Sequence, residues 1–159
     1  MGVSTIDGTI ESAELRRSAA RIRIYKTIVF RLANGETKTI AKPIAHADLA
    51  PRLEPGASGR FYLFNSIDHR GIAGVRSGDG QALFAYPRNN EKIGMMLTIL
   101  GVLWVGTSLY FIGDFSIFAL VVLILGPIVW LVNRNLRIQA ERQFQADNPG
   151  SPATAAVAG

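Results

Sequence analysis

The sequence predicts an α+β membrane protein, with an N-terminal small β-barrel or sandwich of about six short strands followed by a two-helix transmembrane hairpin. Three observations predict it. Ile93 to Val132 contains one charged residue, Asp114, set between two long apolar runs. The region ahead of it alternates apolar and polar residues with the period of a strand. Clusters of Gly, Asn, Asp and Pro then cut that region into short pieces.

The apolar runs are residues 93–112 and 115–132, 20 and 18 residues long. As helices they measure about 30 and 27 Å, enough to span the hydrocarbon core of a bilayer. The alternative is a buried helix pair in a water-soluble protein, but the 92 residues ahead are too few to wrap both helices on every side. Lys and Arg near membrane ends set orientation. Arg88 and Lys92 precede the first run, Arg134 and Arg137 follow the second, and Gly113-Asp114 between them carries no positive charge. Both termini are therefore expected in the cytoplasm, the chain being a multi-pass protein of the plasma (inner) membrane. Met1 to Ala20 carries five charges and no apolar core, unlike a signal peptide. Ile6 stands where a myristoylation motif needs Ser or Thr.

The expected domains are a soluble β-rich domain over residues 1–90, the hairpin over 93–132, a cytoplasmic helical extension over 133–147 and a disordered tail over 148–159. In the first domain Thr5 to Leu15 reads as a strand. Arg21 to Leu32 is the strongest strand, with Ile22, Ile24, Ile28, Phe30 and Leu32 on one face and Arg21, Arg23, Tyr25, Thr27 and Arg31 on the other. Lys26 falls on the apolar face, which predicts a bulge or a lysine that snorkels outward. Asn34-Gly35 signals a two-residue type I′ hairpin turn, with Glu36 to Ile44 as the return strand. Pro43 makes that strand an edge or ends it. His46 to Leu53 suits a short helical turn closed by Glu54-Pro55-Gly56, and Arg60–Ile67, Ile72–Arg76 and Ala82–Tyr86 follow as strands. The pattern resembles the small barrels of the oligonucleotide-binding or SH3-like kind, an analogy of fold that leaves function open.

In the hairpin, Gly94, Gly101 and Ser108 recur every seven residues, and Ala119 and Gly126 repeat the spacing in the second helix. Small residues along one stripe let helix backbones approach closely. They serve either the hairpin itself or association with a second copy or a partner membrane protein. Pro127 is expected to bend the second helix.

Chemistry is sparse. Without cysteine there are no disulfides, thiolate metal sites or cysteine nucleophiles. His46-Ala47-Asp48 and Asp68-His69 offer halves of a metal or acid–base site, but both read as loop residues, and no phosphate loop, nucleophile elbow or HExxH motif occurs. The expectation is a protein that is not an enzyme and uses no metal or cofactor. The cationic residues Arg16, Arg17, Arg21, Arg23 and Arg31 form the notable feature, a basic face suited to anionic lipid headgroups or an acidic partner. With Phe61, Tyr62 and Phe64 in another strand, the same cations suit a nucleic-acid or nucleotide-binding barrel. That reading is the weaker one, because an aromatic run apolar on both faces belongs to a central strand. The sequence thus points to a membrane-anchored, cytoplasm-facing binding or scaffolding module.

Overall fold

The computed structural model describes residues 2–66, 69–114 and 116–148. It divides into two units: residues up to Pro87 joined by those from Leu136 onward, and Arg88–Asn135. Ile67, Asp68, Phe115 and the tail beyond Asn148, to which sequence-based expectations were attached, lie outside the described residues.

Among the described residues the first unit contains seven strands: β1 (Gly2–Ser18), β2 (Ile22–Leu32), β3 (Thr37–Ala41), β4 (Pro43–His46), β5 (Ser58–Asn65), β6 (Arg70–Ser77) and β7 (Ala82–Phe84). A 3-10 turn, Ala47–Arg52, stands between β4 and β5. β1 pairs antiparallel with β2 and with β5; β2 pairs with β4, β4 runs parallel to β6, and β6 returns to β5. Five strands therefore close into a ring, a barrel and not a sandwich. β3 and β7 flank it, on β2 and β6.

β1 outruns the expected Thr5–Leu15 because one strand serves two neighbours. Gly2 to Thr9 pairs with β5, and Gly8 to Ser18 with β2. Gly8 sits at the overlap, and a Cβ there would collide with the Arg31 carbonyl. Only glycine permits that approach.

The β1–β2 ladder slips three times, between Ile10 and Ser12, Glu14 and Leu15, and Leu15 and Arg17. The extra residues are Glu11 and Arg16 on β1 and Lys26 on β2, all charged. A bulged residue lacks a cross-strand partner and changes the parity of the strand, so water is its proper surrounding. The bulge expected at Lys26 is there, with the ammonium outside and 3.0 Å from Glu14. It also corrects the face assignment. Past the bulge Tyr25 turns inward and is 5% exposed, whereas Ile22 and Ile24 are only half-buried.

The turn at Asn34-Gly35 is not type I′, which requires positive φ at both residues. Gly35 has φ 83°, while Asn34 is not in the positive-φ region. Gly35 N–H donates to Leu32 O at 3.0 Å and Leu32 N–H to Glu36 O at 2.8 Å, a three-residue loop with glycine in the left-handed position. The β6–β7 loop repeats the device. Gly80 has φ 83°, its N–H donates to Ser77 O at 3.0 Å, and Ser77 N–H donates to Gln81 O at 2.8 Å. In each loop the residue before glycine, Asn34 or Asp79, accepts from the backbone N–H two residues on.

The expected return strand Glu36 to Ile44 is two strands. Lys42, with φ 51°, breaks it. Before the break β3 is an edge; after it, Pro43 opens β4 inside the ring, between β2 and β6. Proline is accepted there as the first residue of a strand.

Inward residues of all five ring strands meet in one core that includes Ile10, Ile28, Phe30, Ala45, Phe61, Ile72 and Val75, joined by Leu49 of the 3-10 turn and Leu53 at its C-cap. Phe30 and Phe61 meet edge to face at 5.0 Å. Four consecutive residues of β5, Phe61 to Phe64, are buried. Phe61 and Leu63 fill the barrel, so Tyr62 and Phe64 need a cover on the outside.

The second unit is a helical hairpin. α1 spans Asn89–Ile112 and ends at Gly113, whose φ of 75° closes the helix with an N–H to Leu109 O bond. α2 spans Ile117–Ala146 and runs through Pro127; Ser116 Oγ opens it by accepting from Ala119 N–H at 3.1 Å. Both helices are long and apolar enough to cross a membrane, and only 11% of each apolar stretch is buried.

Candidate functional site

The buried residues of α1 are Gly94, Gly101 and Ser108, the three members of its stripe. Ala119 is fully buried and Gly126 is buried on α2. The contacts explain why these positions are small. A Cβ on Gly94 would come within 2.5 Å of Trp130 N, one on Gly101 within 2.8 Å of Leu123 Cα, and one on Gly126 within 2.6 Å of Thr98 N. Backbone therefore lies against backbone along the seam, and the stripe is used within the hairpin. What faces outward is large and apolar, from Met95 and Leu103 on α1 to Ile124 and Leu131 on α2.

On the barrel, the tip of the β1–β2 hairpin gathers four of the five predicted cations. Arg17 stands opposite Ile24 and Ser18 opposite Arg23, and Ala19 and Ile22 exchange backbone bonds across the turn. Arg23 donates from Nη1 to Ala19 O at 2.6 Å, which fixes its guanidinium at the turn. Arg16, Arg17 and Arg21 are exposed and have no ion-pair partner among the described residues. Leu15 stands among them, 51% exposed. Arg31 does not join this cluster. It lies near the far end of β2, opposite Thr9, and pairs with Glu11.

Sequence reasoning missed a second polar cluster. From Leu136 onward α2 lies on the outer face of β5 and β6, where Ala140 joins Phe64, Ala73 and Tyr86 in a buried cluster. Phe144 meets Tyr62 edge to face at 4.9 Å and Phe84 at 5.3 Å, and the Arg76 guanidinium lies 5.0 Å from its ring centre. Asp147 accepts from Tyr62 Oη at 2.8 Å and from Arg60 Nη1 at 3.1 Å, while Arg60 also grips Asp7 through Nε and Nη2 at 2.7 and 2.9 Å. The two carboxylates, Asp7 first, hold the guanidinium proton above its ordinary range. Burial pushes the Tyr62 phenol up; an Arg76 hydrogen bond opposes the shift and Asp147 adds to it. The sequence carried a signal for this cover. Leu136, Ala140 and Phe144 recur every four residues in the mostly polar last part of the helix.

These contacts bear on the aromatic residues weighed for base stacking. Tyr62, Phe64 and Phe61 are all buried, and no aromatic side chain of the described barrel strands is exposed. His46 caps the 3-10 turn, its Nδ1 accepting from Asp48 N–H at 3.4 Å and lying 3.2 Å from Asp48 Oδ2. Among the described residues, no three His, Asp or Glu side chains converge as a metal site would require. Compared with protein families, with curated proteins and with solved structures, the chain matches none.

Proposed function

We propose that the chain is a non-enzymatic membrane protein whose hairpin crosses the bilayer and whose barrel is a binding or scaffolding module on the cytoplasmic side. One observation carries the membrane half. The hairpin buries its small residues and turns its large apolar ones outward, the reverse of a helix pair in water. The orientation follows from Arg88, Lys92, Arg134 and Arg137 at one pair of ends and no Lys or Arg at Gly113-Asp114. The binding half rests on the hairpin tip. Arg16, Arg17 and Arg21 have no ion-pair partner among the described residues, and an exposed Leu15 stands beside them. Cations near an anionic leaflet contribute about 1 kcal/mol each, and a lone leucine adds apolar contact at the headgroup boundary.

A second reading is favoured by topology. Five strands in this order, with a short helical segment ahead of the fourth ring strand, match the Greek-key barrels that bind oligonucleotides or oligosaccharides through loops including the tip of the first hairpin. Such sites stack bases on exposed aromatics, which this barrel lacks among its described residues. Anionic lipid or an acidic protein surface is therefore the preferred partner.

The test uses the full chain in liposomes with a polarity-sensitive dye on Ala20→Cys. The proposal expects a blue shift in vesicles containing phosphatidylserine, absent in phosphatidylcholine, reversed by salt and weakened by Arg16→Gln/Arg17→Gln. A dye that responds to single-stranded oligonucleotide and not to lipid composition overturns it in favour of the second reading.

A further inference from the structure

A cleft of about 330 Å³ lies between β3 and the facing ends of β5 and β6, at the lower end of the range for small-molecule sites. Its floor is apolar where Ile40 and Leu63 of the barrel core line it. The rim is polar and cationic. Lys38 enters from β3 and Arg70 from the start of β6, with the Ser4 hydroxyl and the Asn65 amide between neighbouring strands. No acidic residue is among its described lining, and neither Lys38 nor Arg70 has an ion-pair partner among the described residues. Elsewhere on the barrel Lys26, Arg31 and Arg60 each hold a carboxylate.

We propose that this cleft binds a phosphate monoester carried on a compact apolar body. Two cations from separate strands match the near-double negative charge of such a group. Its three terminal oxygens can use both cations together with the neutral hydroxyl and amide donors, more donors than a single carboxylate would engage. The apolar floor takes the body, and the volume limits it to about one ring or a short chain. Two sources present this chemistry: a soluble aryl or alkyl phosphate, and the headgroup end of a phosphatidic acid. The cleft shares no residue with the basic tip, so this inference and the proposed function stand or fall separately.

The experiment follows the backbone amides of Asn65 and Gly71 by NMR, with the full chain in zwitterionic detergent micelles. Phenyl phosphate, dihexanoyl phosphatidic acid, inorganic phosphate and dihexanoyl phosphatidylcholine are titrated in turn. The cleft is expected to saturate with at least one of the two monoesters, about tenfold more tightly than with inorganic phosphate and with no saturable response to the choline lipid. Saturation by phenyl phosphate alone assigns a soluble source, and saturation by the phosphatidic acid alone assigns the lipid. Lys38→Gln and Arg70→Gln should each weaken binding about five- to tenfold, and Arg17→Gln should leave it unchanged. Both side chains are exposed, so neither variant endangers the fold. The proposal is overturned if neither monoester saturates the shifts, if inorganic phosphate binds as tightly, or if the two glutamine variants bind like the parent chain.

Discussion

Adding one methyl group at Gly101 probes the helix seam directly. Its Cβ would stand 2.8 Å from Leu123 Cα, 2.9 Å from Leu123 N and 3.2 Å from Leu123 Cβ. Non-bonded carbons prefer about 3.5–4.0 Å, so α1 and α2 must part locally by roughly 0.7–1 Å. A gap of that size forfeits about a quarter to a half of the dispersion attraction at each neighbouring contact. Overpacking of this kind costs about 1–3 kcal/mol. Gly106 on the same helix supplies the control, because nothing lies within 4 Å of its Cβ position. Gly106→Ala should be neutral or gain up to about 1 kcal/mol from helix propensity. That propensity gain is common to both substitutions, so the two alanine variants should differ by the overpacking cost, about 1–3 kcal/mol. The assay is unfolding of the purified full chain in mixed micelles with rising denaturing detergent, read by energy transfer between dyes at the two helix ends. Gly101→Leu should be worse than Gly101→Ala, and Val102→Leu, at a position 55% exposed, should change little. Equal stability of Gly101→Ala and Gly106→Ala would refute the seam.

Glycine at a strand crossing should matter more than glycine in an open turn. Gly59 has φ 150° and its Cβ would collide with the Arg76 carbonyl, so Gly59→Ala should cost about 3 kcal/mol or more in a thermal or denaturant melt. Gly80→Ala, at φ 83° in open space, should cost only about 1–2 kcal/mol of left-handed strain. Alkali should also loosen the barrel. Burial raises the phenols of Tyr62 and Tyr25 above their ordinary 10.0, so the unfolded chain ionises first. Their contribution is intact below pH 10.0 and is lost as pH climbs through the folded values. Tyr62→Phe should therefore flatten the fall in Tm above that pH, while costing about 1 kcal/mol at neutral pH through the lost bond to Asp147. An alkaline slope identical to the parent's would contradict that assignment.

Local chemistry made much of this fold readable. The alternation of β2, the charged residue at its bulge and the seven-residue stripe of the hairpin each follow from spacing alone, because each is decided by neighbours a few residues away. Closure was not readable. A ring needs β1 to serve two partners, and the marks of that, Gly8 at the crossing and slips at Glu11 and Arg16, interrupt alternation in a way that resembles noise in a single strand. The type I′ expectation failed because an Asn-Gly pair fits both a two-residue loop and the end of a three-residue one; choosing requires the register of the flanking strands. Tyr62 and Phe64 read correctly as buried on a central strand, but their cover lies some 80 residues away at Ala140 and Phe144. Of the basic face, Arg31 was grouped with the tip cations by its place on β2, and only the cross-strand partner shows it satisfied by Glu11.

The central claim is that the hairpin crosses a membrane with both ends on the cytoplasmic side. The chain has no cysteine, so single introduced thiols report cleanly. Ser116, exposed at the start of α2, and Ser58, exposed at the start of β5, stand in different units. In intact cells Ser116→Cys should react with an impermeant maleimide, and Ser58→Cys should react only after the membrane is opened. Labelling of Ser58→Cys with Ser116→Cys protected would reverse the orientation. Recovery of the chain in the soluble fraction, with both positions unlabelled in intact cells and labelled after lysis, would contradict the membrane assignment itself.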